Sequence, residues 1–398
     1  MGGVEQRPQS RLPKGGVNLF LGIKAASAEA EAHGIELIKL SIGQPKGPAL
    51  ESARNAAAYA VRSANESIHE YQDNGSPGIP DFARKFIQAQ VDVPLMQEGI
   101  DFLPIPGIKP MLGLIPLACG ASEKELYIVT TTNPGYPTPR DWARGYLKQD
   151  VYEVPLNPKN EFRFSTSDLS GVDLAMMNYP HNPTGQIATT EWLASICAYC
   201  ETHDIRLFND AAYAALSHSP ESSTLTEVAI DYPGLSWAEA FSASKLIGNG
   251  TGWRIGAMVG SKDFIGDIKT IKGNTDSGFA APLAIGALFA IVNDKEGIEA
   301  SRKVYERRLA LLAGILTKNG MQLAVEPKAG FFSLWKAPNS AFGEKMRDAQ
   351  HFNFTMIDKT GIVGVHFDPY IRYAVCEDVE AYADKISEAF KKAGVSYD

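Results

Sequence analysis

The stretch of this sequence richest in chemistry is residues 241–256, FSASKLIGNGTGWRIG. Lys245 stands behind Ser242 and Ser244, runs into Gly248, Gly250 and Gly252, and is answered by Arg254 at the head of the apolar run 255–259. A lysine on an exposed helix is solvated and inert, but one framed by small residues can be held unprotonated and used as an imine-forming nucleophile. Serine hydroxyls, loop amides and a guanidinium are the usual donors to a phosphate monoester. The stretch reads as an amine beside an anion site. The three glycines do not make a dinucleotide loop, since that fingerprint needs a strand before it and a helix after it, and here a strand-like run comes after.

Further polar residues extend the set. Asp210 and Tyr213, three apart behind the strand-like run 205–209, can present a carboxylate and a phenol to one flat heteroaromatic ligand. Asn182, in an Asn-Pro-Thr-Gly turn, adds an amide, and Tyr136 an aromatic face. Singly, each has an ordinary explanation as a helix cap, a turn starter or a packed ring. Gly107, Ile108 and Lys109, in FLPIPGIKPM, can offer amides at a helix N-terminus, a standard anion site. Gly43 closes IELIKLSI and brings bare backbone with it.

The elements that must position these residues can be read from periodicity. From Tyr127 onward strand-like and helical runs alternate, which predicts an α/β domain with a mostly parallel central sheet covered by helices. Runs 126–130, 174–178, 205–209 and 237–241 lead directly into Tyr136, Asn182, Asp210 and Lys245. In open parallel sheets ligands bind beyond the carboxyl ends of the strands, where these residues fall. Upstream, the pattern predicts a helix over 17–32, a strand over 35–42, a helix over 50–64, then a loop over 71–78 feeding a helix near Pro80. Downstream, it predicts one long kinked helix over 282–316, strands at 332–335 and 371–375, and a closing helix over 379–393. The expected division is an N-terminal arm (1–16), a smaller α+β domain (17–48 with 290–398) and a large domain (49–289).

The ordered set resembles the fold-type I pyridoxal-phosphate enzymes and, among them, the class I/II aminotransferases. It runs from Ser41-Ile42-Gly43-Gln44-Pro45 through Asn182-Pro183-Thr184-Gly185, Asp210-x-x-Tyr213, Ser242-x-Ser244-Lys245 and Arg254 to Ile371-Arg372-Tyr373. The resemblance implies that Lys245 carries pyridoxal 5'-phosphate as an internal imine and serves as the base that moves a proton between substrate and cofactor. It implies that Asp210 pairs with the pyridine nitrogen, that Asn182 and Tyr213 bond the ring hydroxyl, and that Tyr136 stacks on the ring. The phosphate falls to Ser242, Ser244, Arg254 and the amides of Gly107, Ile108 and Lys109, with Tyr71 reaching in from a second subunit. Arg372, aided by the Gly43 amide and by Asn182, takes the substrate carboxylate.

The implied activity is transfer of an amino group from an L-amino acid to a 2-oxo acid through a pyridoxamine phosphate intermediate, in a homodimer. Elimination, decarboxylation and oxygen-dependent oxidation or hydroxylation on the same scaffold are the alternatives. Three departures stand out: a Lys245-to-Arg254 gap one residue longer than in most relatives, a short stretch from Gly361 to Arg372, and no arginine over 255–301, where aspartate aminotransferases keep a reader for a second carboxylate. Residues 17–20, 40–43 and 107–109 look like the LL-diaminopimelate aminotransferase branch.

Composition agrees with such a reading. The 398 residues suggest two or three lobes, and 44% hydrophobic with 21% charged content is ordinary for a globular chain. A net charge of -8 leaves no basic surplus for nucleic acid. The apolar run 279–292 is too short for a membrane span and is expected as a buried helix. The N-terminus has no apolar stretch of the secretory kind, so a cytoplasmic protein is expected. Four cysteines are too scattered for a disulfide framework; Cys197 and Cys200, in a helical run, are read as core packing rather than a metal site.

Overall fold

The computed structural model describes residues 19–74 and 78–398. The expected arm and the middle of the 71–78 loop lie outside them. Seven strands form the main sheet: β1 (Ile100–Ile105), β2 (Tyr127–Asn133), β3 (Asp150–Pro155), β4 (Leu174–Met177), β5 (Arg206–Asp210), β6 (Trp237–Ser242) and β7 (Gly256–Ser261), in the order β1-β7-β6-β5-β4-β2-β3. Pairings from β3 across to β6 are parallel, while β7 runs antiparallel to both β6 and β1. Of these seven, only β7 therefore opposes the common direction. The edge at which the other strands end is the edge at which β7 begins, which is how Arg254 arrives beside Ser242.

The strands are apolar on both faces, as a covered parallel sheet requires. Leu207, Trp237, Phe241 and Val259 face one layer of helices, including Glu51–Val61 and Ala281–Asn293. Phe208, Ala238, Ala240 and Met258 face the other, which includes Lys262–Lys272. A four-stranded antiparallel sheet (Leu323–Val325, Phe332–Lys336, Val365–Phe367, Tyr370–Ala374) forms a second centre. Its core takes in Tyr305 and Leu312, Phe352, Phe390, and, from far upstream, Ile38 and Leu40.

Several expectations need correction. Residues 35–42 form no strand: Ile38 makes one isolated parallel bridge with Ile362, and Leu40 donates no further along that edge than to Ile38 itself. The alternation that suggests a strand is real in burial, with Ile38 and Leu40 inside, but beyond the Ile38 bridge the pairing is reduced to Ala374 N donating to Leu40 O at 2.6 Å. The long helix over 282–316 is two, Ala281–Asn293 and Lys295–Lys318. Asp294 separates them and caps the second, accepting from Gly297 N at 2.9 Å. The edge strands β1 and β3 are not evident from periodicity. No helix among the described residues is long and apolar enough to cross a membrane, and Cys197 and Cys200 are both fully buried in the core.

Candidate active site

One cavity of about 1100 Å³ opens at the carboxyl edge of the main sheet. Asp210 closes β5, Ser242 closes β6, and Lys245 sits on the turn that leads back to Arg254 and β7. Gly256 pairs with both Ser242 and Ile105, so the segments carrying Lys245, Arg254 and Gly107 converge in one place. All of Gly43, Ile108, Lys109, Tyr136, Asn182 and Asp210 line this cavity. So do Tyr213, Ser242, Ser244, Lys245, Arg254 and Arg372. Gly107, with φ +77°, stands just behind: a Cβ there would lie 2.3 Å from Arg254 Nη2. Tyr71 is outside, with 79% of its surface exposed.

The ionisable groups are held far from their ordinary behaviour. Burial pushes the Asp210 carboxyl up to about 6, opposed by the charge of Lys245 and by the Ala212 amide, which donates to Oδ1 at 3.1 Å. Burial also pulls the Lys245 amine below the usual lysine range, and Asp210 works against it. The Lys245 Nζ lies 5.3 Å from the centre of the Tyr213 ring. Burial is again the first cause for Arg372, drawn down to about 10. Its Nη1 donates to Asn182 Oδ1 at 2.9 Å and its Nη2 to Ser41 O at 2.6 Å, over the Phe332 ring at 4.2 Å. Its Nε is buried without a partner among the described residues. A guanidinium 2% exposed, with no carboxylate bonded to it there and an unused donor, is costly unless an anion completes it.

The anion set at the other end has the same character. Among the described residues the Ser242 and Ser244 hydroxyls bond each other, at 2.8 Å, and Ser244 N donates to Ser242 Oγ at 3.1 Å. Arg254 is steadied by two backbone carbonyls, Thr251 O at 2.8 Å and Pro106 O at 3.2 Å, and by no carboxylate among the described residues. The longer gap from Lys245 is absorbed by the short helix Thr251–Trp253 and a left-handed Arg254. A pocket holding a deprotonatable lysine, a buried carboxylate and two guanidinium groups without carboxylate partners fits a phosphorylated aldehyde with a basic ring nitrogen.

Sequence reasoning missed three supports. Asn178 donates to Asp210 O at 2.7 Å and accepts from Asn182 N at 3.0 Å, tying the ends of β4 and β5 together. Phe332 packs where a Cβ on Gly43 would stand, 2.8 Å away. The first helix, α1 (Leu19–Ala32), contributes part of the cavity wall. The Asn178 position carried a signal, being the last residue of a strand-like run; α1 carried none, because an amphipathic helix does not announce what its face covers.

A family model described as aminotransferase class I and II matches residues 35–381. The chain belongs to that family. It is a pyridoxal-phosphate-dependent aminotransferase, as the resemblance implied, and the eliminase, decarboxylase and oxidase alternatives are not favoured. It is 27% identical to the LL-diaminopimelate aminotransferase of Natranaerobius thermophilus, over 94% of this chain and 96% of that one. With the LL-diaminopimelate aminotransferase of Methanocaldococcus jannaschii it shares 28%, over 94% and 91%. The aspartate aminotransferase of Rhizobium meliloti has the same fold, with a TM-score of 0.84 at 19% identity, covering 98% of this chain and 99% of that one.

Proposed function

We propose that this aminotransferase works through Lys245, Asp210, Tyr213 and Arg372, and that its amino donor is a long-chain dicarboxylic amino acid of the LL-diaminopimelate kind. The observation that carries the residue assignment is the burial, in one cavity, of a depressed amine, a raised carboxyl and a guanidinium with no carboxylate partner among the described residues. Pyridoxal phosphate, when bound, supplies an aldehyde that condenses with amines and a ring that accepts the electron pair left on Cα. Lys245 Nζ anchors it and then carries the Cα proton, a task suited to an amine whose cation is destabilised by burial. The Asp210 carboxylate would hold the ring nitrogen and favour its protonated form. Tyr213 and Asn182 bond the ring hydroxyl, and Tyr136 covers a face.

Ser242, Ser244, Arg254 and the amides of Gly107, Ile108 and Lys109 bind the phosphate. Arg372 takes the α-carboxylate through its fork, with Asn182 and the Gly43 amide beside it. Tyr71 serves the site of a partner subunit in a homodimer, which its exposure and its absence from the lining of this cavity favour. The protein works in the cytoplasm, in keeping with four free cysteines and an acidic balance. Two lobes are proposed, the smaller from residues 17–48 with 290–398 and the larger from 49–289; the second core, which joins Ile38 and Leu40 to residues from Tyr305 onward, supports this division. The relatives' name and the size of the cavity support the substrate class.

The test is an absorption spectrum of the purified protein before and after single amino acids, without any oxo acid. A visible band that moves to the near ultraviolet with LL-diaminopimelate, and is trapped by borohydride on the peptide containing Lys245, is the expected result. A trapped adduct on another lysine overturns the assignment, and a band unmoved by diaminopimelate but shifted by other amino acids overturns the donor class.

A further inference from the structure

The cavity lining extends beyond the residues assigned to the cofactor and the α-carboxylate. The volume of about 1100 Å³ stands above the roughly 300–1,000 Å³ common for small-molecule sites. Part of that lining is α1, through Phe20, Ile23, Lys24, Ser27, Ala28 and Glu31. Steps of three and four place them on one stripe of the helix. That stripe is apolar at Phe20 and Ile23 and charged at Lys24 and Glu31; Ile23 is buried, while Phe20, Lys24 and Glu31 are exposed at the mouth of the cavity.

The charges are not balanced. Glu31 is met by Lys39, also in the wall, at 3.1 Å. Lys24 has no hydrogen bond or ion pair among the described residues. Besides Lys245, the lining thus holds two ammonium groups without a counter-charge among the described residues, Lys24 and Lys109, and two arginines, Arg254 and Arg372; of the two lysines, Lys24 is the one that shares a helix stripe with the apolar Phe20 and Ile23. The chain has no arginine over 255–301 either, so the segment that supplies a second-carboxylate reader in aspartate aminotransferases is empty of one.

We infer that Lys24 Nζ is the receptor for a second carboxylate, carried at the far end of the substrate side chain, with the aliphatic spacer lying along Phe20 and Ile23. This rests on the reading that Arg372 holds the α-carboxylate. A lysine suits the task differently from an arginine: it is a compact charge on a flexible stem, so it adapts to side chains of more than one length, without bidentate geometry. The neighbouring pair of Glu31 and Lys39 keeps the acid engaged and prevents it from repelling the incoming anion.

The experiment is calorimetric binding to the holoenzyme of succinate, glutarate, adipate and pimelate, each against the straight-chain monocarboxylate of equal length. The parent should favour the longer dicarboxylates, and added salt should shrink the preference. Lys24→Gln should lower the dicarboxylate-to-monocarboxylate affinity ratio about fivefold, the worth of a part-exposed ion pair of roughly 1 kcal/mol; Lys24→Arg should retain it. An unchanged ratio in Lys24→Gln overturns the inference. Monocarboxylate binding that survives Arg372→Ala overturns the underlying reading of Arg372, and with it the geometry on which the second subsite depends.

Discussion

Asp210 and Glu239 are carboxyl groups on adjacent strands, both buried, and burial pushes both up to about 6. Their surroundings part them. Glu239, in the middle of β6, accepts from Asn209 Nδ2 at 2.7 Å, Leu225 N at 3.0 Å, Thr226 N at 2.7 Å and Thr226 Oγ1 at 2.6 Å. Those four donors occupy its lone pairs. Asn209 in turn accepts from Tyr179 N at 2.9 Å, so the knot holds the turn that leads to Asn182. Asp210, one residue on and therefore on the other face of β5, has the Ala212 amide and the field of Lys245, and opens on the cavity. Equal burial makes one group a fastening and leaves the other poised. What sets the proposed working carboxylate, Asp210, apart is unspent hydrogen-bonding capacity beside an opposite charge, rather than its desolvation.

The strongest way to break that contrast is to remove the opposite charge. Lys245→Ala should cost about 10⁴-fold in kcat in steady-state assays, and should leave Glu239 untouched. Next, Asp210→Asn should lower kcat by about 10²–10³-fold with the fold intact. Glu239→Ala should do the reverse, costing about 3 kcal/mol in denaturant unfolding as four donors lose their acceptor, with kcat per folded molecule close to the parent's. A Glu239 variant that kept its stability and lost its turnover would erase the distinction.

A finer measure uses pH. The unperturbed values are 3.8 for Asp210 and 4.5 for Glu239, and both folded values are higher. Between about pH 4 and 6 the folded state holds protons that the unfolded chain has released, so the contribution of each group is complete below its unfolded value and is lost as pH rises through its folded one. In cofactor-free protein, Asp210→Asn should therefore gain stability relative to the parent as pH climbs through that window, read from melts at each pH. A flat difference would show Asp210 ionised throughout. The smallest effect expected is from Gly43→Ala, whose new methyl meets Phe332 and tilts the ring under Arg372: a rise in KM of roughly tenfold with cofactor content unchanged.

The chain of strand ends at Tyr136, Asn182, Asp210 and Lys245 was legible because a parallel strand buried on both faces leaves an unmistakable apolar run, and the residues just beyond each run must lie at one edge of the sheet. The anion set at Ser242, Ser244 and Arg254 was legible for a similar reason, since small residues, glycines and an arginine cluster within one turn. The break at Asp294 was not, because Ala281–Asn293 and Lys295–Lys318 together keep a continuous helical composition and only the cap geometry separates them. Neither was the missing strand over 35–42, since alternation records which side chains are buried and says nothing of whether a partner backbone runs alongside.

By itself the sequence determined the residue types, their order and the sheet that carries them, because propensity, periodicity and turn chemistry act over a few residues at a time. Tertiary structure alone decided that Arg372 would be buried against Asn182 and Ser41, that Glu239 would be saturated while Asp210 was not, and that α1 would turn Lys24 toward the cavity. Those outcomes join residues far apart in the chain, and the desolvation and pairing that give each group its chemistry exist only when the distant partners have been packed around it.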